Sequence, residues 1–235
     1  MTDNPSAFSE NIQMYLVNIL RLGAKGQPVP LSQLAAALDV SPISVNQMCR
    51  KLQDEGLVTY IPYKGVSINP VGERLAARIL RRHRLWEVFL VEHLQMRWED
   101  AHETACRLEH DTPDEVIERL DVFLNRPRFN PQGEPIPTSS GEFASVLVSP
   151  LTEMKAGERG YYVRSTADVA TRDFLAAQGL RPGASLQVLA VALDSILIEV
   201  NGKRIALDRS IAATLLVEQG KIKTEEYNNE QHIPS

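Results

Sequence analysis

Long apolar runs and cysteines are both scarce in this sequence of 235 residues. No apolar run approaches the roughly 20 residues that a membrane-spanning helix needs, and the N-terminus lacks the basic-then-apolar order of a signal peptide. We therefore expect a cytoplasmic protein that does not enter a membrane. The two cysteines, Cys49 and Cys106, lie in helical patterns of a cytosolic type of sequence, so we expect free thiols rather than a disulfide.

An overall excess of positive charge is also absent, since the formal net charge is −5. That balance does not by itself indicate a nucleic-acid partner, but the charges are unevenly distributed. Arg78, Arg81, Arg82 and Arg84 crowd one segment, as either a solvated helix face or a phosphate-binding patch, while acidic residues concentrate around residues 99–122. The net charge thus conceals a basic part and an acidic part.

The N-terminal region has the pattern of a winged helix-turn-helix. An Ala-rich helix is predicted over residues 33–38, and Ser41 followed by Pro42 is a strong start signal for the next helix. Two short helices joined by a tight turn are typical of helix-turn-helix units. The β-rich segments 57–61 and 66–68 then predict a hairpin, the wing.

The second of these helices predicts a DNA-reading surface. Ser44 and Gln47 have side chains suited to base edges in the major groove, whereas Arg50 and Lys51 suit phosphates. The helix start and the wing are further points of approach to DNA. The expected DNA-contacting residues are Ser41, Pro42, Ser44, Asn46, Gln47, Arg50, Lys51 and Lys64.

Another helix, predicted further along the chain from about residue 98 to 110, has the residues of a metal site on one face. At about 100° per residue, His102, Cys106, Glu109 and His110 fall on the same arc. Two imidazoles, a thiol and a carboxylate are ligand types for divalent cations. This face therefore predicts metal binding.

The spacing of these residues indicates two sites rather than one. His102 and His110 are about 12 Å apart along the helix axis, too far for one ion with bonds near 2 Å. An earlier pair, His83 and Glu87, has the i, i+4 spacing that places two side chains on one helix face. The sequence favours one site of Cys106, Glu109 and His110 and another of His83, Glu87 and His102.

The whole chain is predicted to be an α+β protein with three domains. The segment 126–142 is rich in Pro, Gly and Ser and is expected to be an extended linker. After it, short strand candidates, two of them joined by Asn201-Gly202, predict a small SH3-like β-barrel. The expected order is a winged helix-turn-helix (1–74), a helical metal-binding part (75–142), the barrel (150–220) and a mobile tail (221–235).

On these residues the sequence resembles the diphtheria toxin repressor family of iron- and manganese-dependent regulators. The resemblance is strong over residues 8–137 and weaker in the third domain, which is similar to the SH3-like FeoA domain of some members. The matching stretches are Met14-Tyr15-Leu16, Ser41–Val45, Arg82–Glu87, Ala101–His110 and Asn130–Pro137. The resemblance implies a homodimeric repressor of metal-homeostasis genes, which binds double-stranded operator DNA with two Fe(II) or Mn(II) ions per subunit.

The resemblance also implies ligands that spacing alone does not identify. It adds Met14 to the primary site of Cys106, Glu109 and His110, and makes the other trio an ancillary site. In some members the SH3-like domain lends a carboxylate and an amide. Asp168 matches the carboxylate, but Thr171 departs from the amide.

Met14 lies on the first helix, so an ion bound to it would tie the DNA-binding domain to the second domain. We expect the ion to select the DNA-binding state in this way. Sulfur donors favour iron over manganese, although manganese remains an alternative.

Two other functions are considered. A metal-dependent hydrolase would need an open coordination position, a general base and a substrate pocket. The sequence has no His-Glu-x-x-His helix or nucleophile motif, so we do not expect an enzyme. A metal-independent winged-helix regulator is the other alternative, and DNA binding unaffected by a chelator would favour it.

Overall fold

The computed structural model describes residues 8–23, 27–144 and 146–219. Contacts divide the described residues into two compact units, of which the first comprises those up to 131 together with 135–144. The second comprises 132–134 and 146–219. The segments predicted as a DNA-binding and a helical metal-binding domain therefore share one unit, while the predicted tail lies outside the described residues.

The first unit begins with the predicted winged helix-turn-helix. Ser41 caps the third helix by accepting a hydrogen bond from the Ser44 amide at 3.1 Å, and Pro42 occupies the first helical turn. A short antiparallel hairpin pairs Val58 with Ile68 and forms the wing. The elements are α1 (Glu10–Leu22), α2 (Leu31–Leu38), α3 (Pro42–Asp54), β1 (Val58–Ile61) and β2 (Gly65–Ile68).

A long central helix links this part to the metal-binding helices. Asn69 caps it with hydrogen bonds from the amides of Val71 and Gly72, and the helix packs against both α1 and the helix that follows it. The helices are α4 (Pro70–Glu92), α5 (Trp98–Asp111) and α6 (Asp114–Phe123). Because α4 contacts α1 on one side and α5 on another, it lies between the DNA-binding part and the metal-ligand helix.

The clustered arginines of α4 form neither a solvated face nor a phosphate patch. Arg82 is buried and pairs with Asp114 at 2.9 Å, and Arg81 is buried and pairs with Asp121 at 3.0 Å. A buried charge is tolerated only when it is paired and hydrogen-bonded. The basic and acidic segments of the sequence therefore neutralise each other inside the first unit.

Most of the segment predicted as a linker is packed along α4. Arg81 donates a hydrogen bond to the carbonyl of Pro137 at 3.1 Å, and Arg84 donates one to the carbonyl of Pro135. Asn130 is fully buried in this segment. These residues are thus a fixed part of the first unit, in contrast to the linker expected there.

The second unit is an antiparallel sheet of six strands in the order β3-β8-β4-β5-β6-β7. The turn at Asn201-Gly202 has positive φ at both residues, as a two-residue hairpin requires. Its elements are β3 (Val148–Pro150), a 3₁₀ turn (Leu151–Glu153), β4 (Arg159–Ser165), α7 (Val169–Ala177), β5 (Ser185–Val191), β6 (Ser195–Val200), β7 (Lys203–Asp208), α8 (Arg209–Thr214) and β8 (Leu215–Gln219).

The short helix α8 packs against both outer strands, β3 and β7, which agrees with the predicted small β domain. The sequence did not predict β3 or β8. Among the described residues, none of the helices combines the length and apolar character that crossing a membrane requires.

Candidate metal centre

The three residues of the predicted ancillary site meet between α4 and α5. His83 and Glu87 lie one turn apart on α4 and are each only 1% exposed. Nε2 of His83 lies 2.7 Å from Oε1 of Glu87, and Nδ1 of His102 lies 2.8 Å from the same oxygen. The two imidazole nitrogens are 3.1 Å apart. All three donor groups therefore converge on one point.

His83 also contacts the residues predicted for the primary site. Its Nδ1 lies 2.8 Å from Oε2 of Glu109, and the donor atoms of His83, His102 and Cys106 all lie within 4.8 Å of one another. The prediction kept Cys106 and Glu109 apart from His83. The structure instead places the buried imidazole of His83 between the two predicted ligand sets.

The protonation of this cluster follows from its contacts. Burial lowers the pKa of His83, but its contacts with Cys106, Glu109 and Glu87 outweigh burial and raise the pKa to about 11. Burial raises the pKa of Glu87, but the hydrogen bonds from His83, His102 and Asn130 outweigh it and hold the pKa below its usual value. His83 is thus an imidazolium paired with carboxylates at neutral pH, and a cation that binds there must displace its proton.

His110 joins α5 to the first helix. Its Nδ1 lies 3.0 Å from Oε1 of Gln13, and its Nε2 lies 3.4 Å from Oε1 of Glu109 and 3.8 Å from Oε1 of Glu10. Met14, the ligand implied by resemblance, is on the same helix with 40% of its surface exposed. The first helix therefore reaches the primary site through Glu10 and Gln13, and the ligand role of Met14 stays a prediction.

Sequence reasoning missed Glu10, Gln13 and Asn130. Gln13 lies on the buried face of α1 beside the apolar Ile12 and Leu16. A polar residue at an apolar stripe position signals a buried hydrogen-bond partner. Asn130 belonged to a recognised segment for which no chemistry was assigned, and nothing in the sequence pointed to its contact with Glu87.

These side chains suit a divalent transition metal. Imidazole, carboxylate and thiol groups are the ligands of Fe(II), Mn(II), Zn(II) and their neighbours in the first row. Asn130 lies outside the ligand set and donates a hydrogen bond to the buried carboxylate of Glu87 at 2.7 Å. Carboxylates that bind metal ions are usually hydrogen-bonded in this way. The residues present therefore fit a metal site.

Asp168 has a role of its own within the second unit. It is the N-cap of α7, where Oδ1 accepts a hydrogen bond from the Thr171 amide at 2.8 Å. That backbone hydrogen bond lowers the pKa of Asp168. The carboxylate is exposed and ionised at neutral pH. Its role as a ligand of the ancillary ion stays a prediction.

Most of the predicted DNA-contacting residues lie on an exposed surface. Ser41, Pro42, Ser44, Gln47, Arg50 and Lys51 are exposed on α3 or at its cap, and Lys64 is exposed on the wing. Asn46 differs, because it is half-buried between Tyr60 and Arg50. Its amide donates to the Tyr60 hydroxyl at 3.3 Å, and its oxygen accepts from Arg50 Nε at 2.9 Å. Asn46 thus orients Arg50.

An exposed patch of apolar residues extends over α4 and α6, here called the aromatic patch. His93 stacks on Phe89 with ring centroids 5.7 Å apart, and Phe123 contacts both rings. Other exposed apolar residues of this part of the first unit are Leu94, just after α4, and Val116 and Val122 on α6. Exposed apolar surface is typical of a protein–protein interface.

Three segments of the chain match known domain families. Residues 7–66 match the N-terminal DNA-binding domain of iron-dependent repressors. Residues 69–138 match their metal-binding and dimerisation domain, and residues 149–219 match the FeoA domain. The chain belongs to the diphtheria toxin repressor family of iron- and manganese-dependent regulators. The resemblance predicted from the sequence is confirmed.

Individual relatives agree with this assignment. An HTH-type transcriptional regulator of Methanocaldococcus jannaschii is 37% identical over 119 residues, which cover 50% of this chain and 95% of that protein. The iron-dependent repressor IdeR of Mycobacterium tuberculosis is 29% identical over 227 residues, covering 89% and 97%. The structure of a manganese-dependent transcriptional repressor in complex with manganese superposes with a TM-score of 0.59 at 30% identity, covering 88% and 99%.

Family membership decides between the functions considered. Members are metal-dependent transcriptional repressors and not enzymes, so the metal-dependent hydrolase is excluded. This chain is accordingly a metal-dependent, DNA-binding transcriptional regulator, and its metal cofactor belongs to the helical part of the first unit.

Proposed function

We propose that this regulator is a homodimeric repressor of metal-homeostasis genes, which binds double-stranded operator DNA when each subunit holds two Fe(II) or Mn(II) ions. The observation that carries the proposal is the buried His83 imidazole, which contacts Glu87 on one side and Glu109 on the other. Buried carboxylates on two neighbouring helices need a positive partner, which the proton of His83 provides in the absence of metal. A divalent cation bound at this point would supply that positive charge in place of the proton.

The proposed ligands form two sets that meet at His83. His83, Glu87 and His102 would hold the ancillary ion. Met14, Cys106, Glu109 and His110 would hold the primary ion. The mixture of nitrogen, oxygen and sulfur donors suits Fe(II) best, while the carboxylates also suit Mn(II).

Metal occupancy would control DNA binding through the first helix. His110 contacts Gln13 at 3.0 Å, and α1 packs against both α2 of the helix-turn-helix and α4. A ligand that binds one arrangement of these helices more tightly shifts the population toward it. By linkage, operator DNA must then raise metal affinity by the same factor as metal raises DNA affinity.

The proposed DNA surface comprises the exposed side of α3 and the wing. Gln47 and Ser44 would read base edges, and Arg50, Lys51 and Lys64 would contact phosphates. The aromatic patch would form the homodimer interface, which would place two recognition helices on successive half-sites.

The test is operator binding measured by fluorescence anisotropy with Mn(II), with Fe(II) under anaerobic conditions, and with a chelator. Cys106→Ala removes a proposed ligand, and Cys49→Ala is the matched control because Cys49 is a buried core thiol on α3. We expect metal-dependent binding that Cys106→Ala abolishes and Cys49→Ala retains. Operator binding that ignores the chelator would refute the proposal and favour a metal-independent regulator.

A further inference from the structure

Gln13 is a polar side chain on the buried face of the first helix. It is 2% exposed and lies where α1 approaches the end of α5. Its amide nitrogen donates a hydrogen bond to the carbonyl of Phe8 at 2.9 Å. The Phe8 carbonyl can only accept, so the amide must turn its nitrogen toward Phe8 and its oxygen toward His110.

This orientation determines which nitrogen of His110 carries hydrogen. Oε1 of Gln13 can only accept, and it lies 3.0 Å from Nδ1 of His110. Nδ1 must therefore carry the hydrogen, because two lone pairs would otherwise face each other at that distance. In the neutral ring this leaves the lone pair on Nε2.

The other groups around His110 make Nε2 the cation-facing atom. Nε2 lies 3.4 Å from Oε1 of Glu109 and 3.8 Å from Oε1 of Glu10. Two carboxylates thus lie near Nε2, where a bound cation would stand between them and the lone pair, while the neutral amide of Gln13 faces Nδ1. Ligating histidines commonly donate their second ring N–H to a carbonyl or carboxylate, which fixes the tautomer and the ring orientation.

We propose that Gln13 is a positioning residue that holds His110 in the Nδ1–H form, so that Nε2 is presented to the primary ion. The same amide ties His110 to the Phe8 carbonyl, just before the first turn of α1. Gln13 therefore connects the state of the metal ligand to the start of the first helix. This inference rests on the proposed metal function. It adds the residue that links α1 to the metal-binding side chain of His110.

The experiment compares three variants of the full-length protein. Gln13→Leu removes the acceptor at nearly constant size. Gln13→Glu keeps an acceptor toward His110 and loses the donor toward Phe8. Asn11→Leu is the matched control, because Asn11 is an exposed amide on the same helix.

Two readouts are used. The first is the tautomer of His110, obtained from ¹⁵N–¹H correlation spectra of imidazole groups in the Zn(II)-loaded protein and assigned with His110→Gln. The second is Mn(II) affinity by calorimetry. We expect an Nδ1–H of His110 that exchanges slowly in the parent protein. In Gln13→Leu the Nδ1–H should exchange faster, and the affinity for Mn(II) should fall about 10- to 100-fold. Gln13→Glu and Asn11→Leu should retain the tautomer and most of the Mn(II) affinity.

The outcomes separate this inference from the proposed function. An Nε2–H on His110 in the parent protein, or parent-like affinity and tautomer in Gln13→Leu, would overturn the role of Gln13 even if DNA binding depends on metal. Operator binding that ignores metal would overturn the proposed function, whatever the tautomer. If Gln13→Leu does not fold by circular dichroism, Gln13→Glu decides alone, since an Nε2–H in that variant contradicts the inference and an Nδ1–H supports it.

Discussion

Asn130 donates a hydrogen bond from its side-chain amide to Oε2 of Glu87 at 2.7 Å, and both side chains are buried. The other oxygen of Glu87 faces His83 and His102. The carboxylate is thus held on one side by an amide and on the other by two imidazoles. Asn130 belongs to the Pro-rich segment that follows α6, so that segment fixes the orientation of a proposed ligand.

Asn130→Ala should weaken metal binding at the ancillary site. Without the amide, Glu87 loses a donor that fixes its orientation and that adds to His83 and His102 in holding its pKa below the usual value. Loss of such an outer hydrogen bond commonly costs about 10- to 100-fold in metal affinity. Calorimetric titration with Mn(II) measures the loss. Glu134→Ala, an exposed position of the same segment, is the control, and an equal loss in both variants would contradict the role of Asn130.

Metal affinity should rise with pH through the neutral range. The pKa of His83 is raised from 6.5 to about 11, so the stability that its proton contributes is fully present below pH 6.5 and is lost only as the pH rises through 11. Between about pH 6 and 8 an ion must therefore displace this proton, and affinity should change by up to about tenfold per pH unit.

Proton release is measured by calorimetry in buffers of different ionisation enthalpy. We expect about one proton per ancillary ion bound. His83→Ala should remove that proton, whereas Glu103→Gln, on the exposed face of α5, should release as many protons as the parent. A parent protein that binds the ion without releasing a proton would show that His83 is not displaced.

The aromatic patch should form the dimer interface. Phe123 is 61% exposed and packs against Phe89 and His93, so a charge there should oppose burial against a second subunit. We expect Phe123→Glu to be monomeric by sedimentation velocity and to bind the operator weakly. Phe174→Glu is the matched control, since Phe174 is 55% exposed in the second unit. A dimeric Phe123→Glu protein would place the interface elsewhere.

Local signals in the sequence predicted the helix-turn-helix, the wing and the ligand-bearing helix correctly. Each depends on short-range physics, such as the Ser41 cap with Pro42 or the repeat that places His102 and Cys106 on one arc. The arginines of α4 were ambiguous because their acidic partners, such as Asp114 for Arg82 and Asp121 for Arg81, lie more than 30 residues away along the chain. Short-range patterns do not encode such pairings, so a buried ion pair was indistinguishable from a solvated face.

The ligand cluster shows the same division between local and tertiary information. Spacing along α5 indicated that His102 and His110 cannot share an ion, and this stays a prediction. It could not reveal that His83, from α4, lies between the two sets and contacts both Glu87 and Glu109. That arrangement depends on how α4 packs against α5. In the same way, the contact of Gln13 with His110 depends on how α1 meets α5.

Gln47→Ala and Lys51→Ala should affect operator binding in different ways. Both residues are exposed on α3, but an amide can read a base edge whereas an ammonium group suits a phosphate. Gln47→Ala should cost about 1–3 kcal/mol on the operator and little on random DNA, because it removes discrimination. Lys51→Ala should weaken binding to operator and to random DNA, and should reduce by about one the slope of log binding constant against log salt concentration.

Lys155→Ala removes the same charge from the second unit and should change neither the affinity nor the slope. Anisotropy titrations over a salt series test this, and equal losses of Gln47→Ala on operator and random DNA would assign Gln47 to the backbone instead.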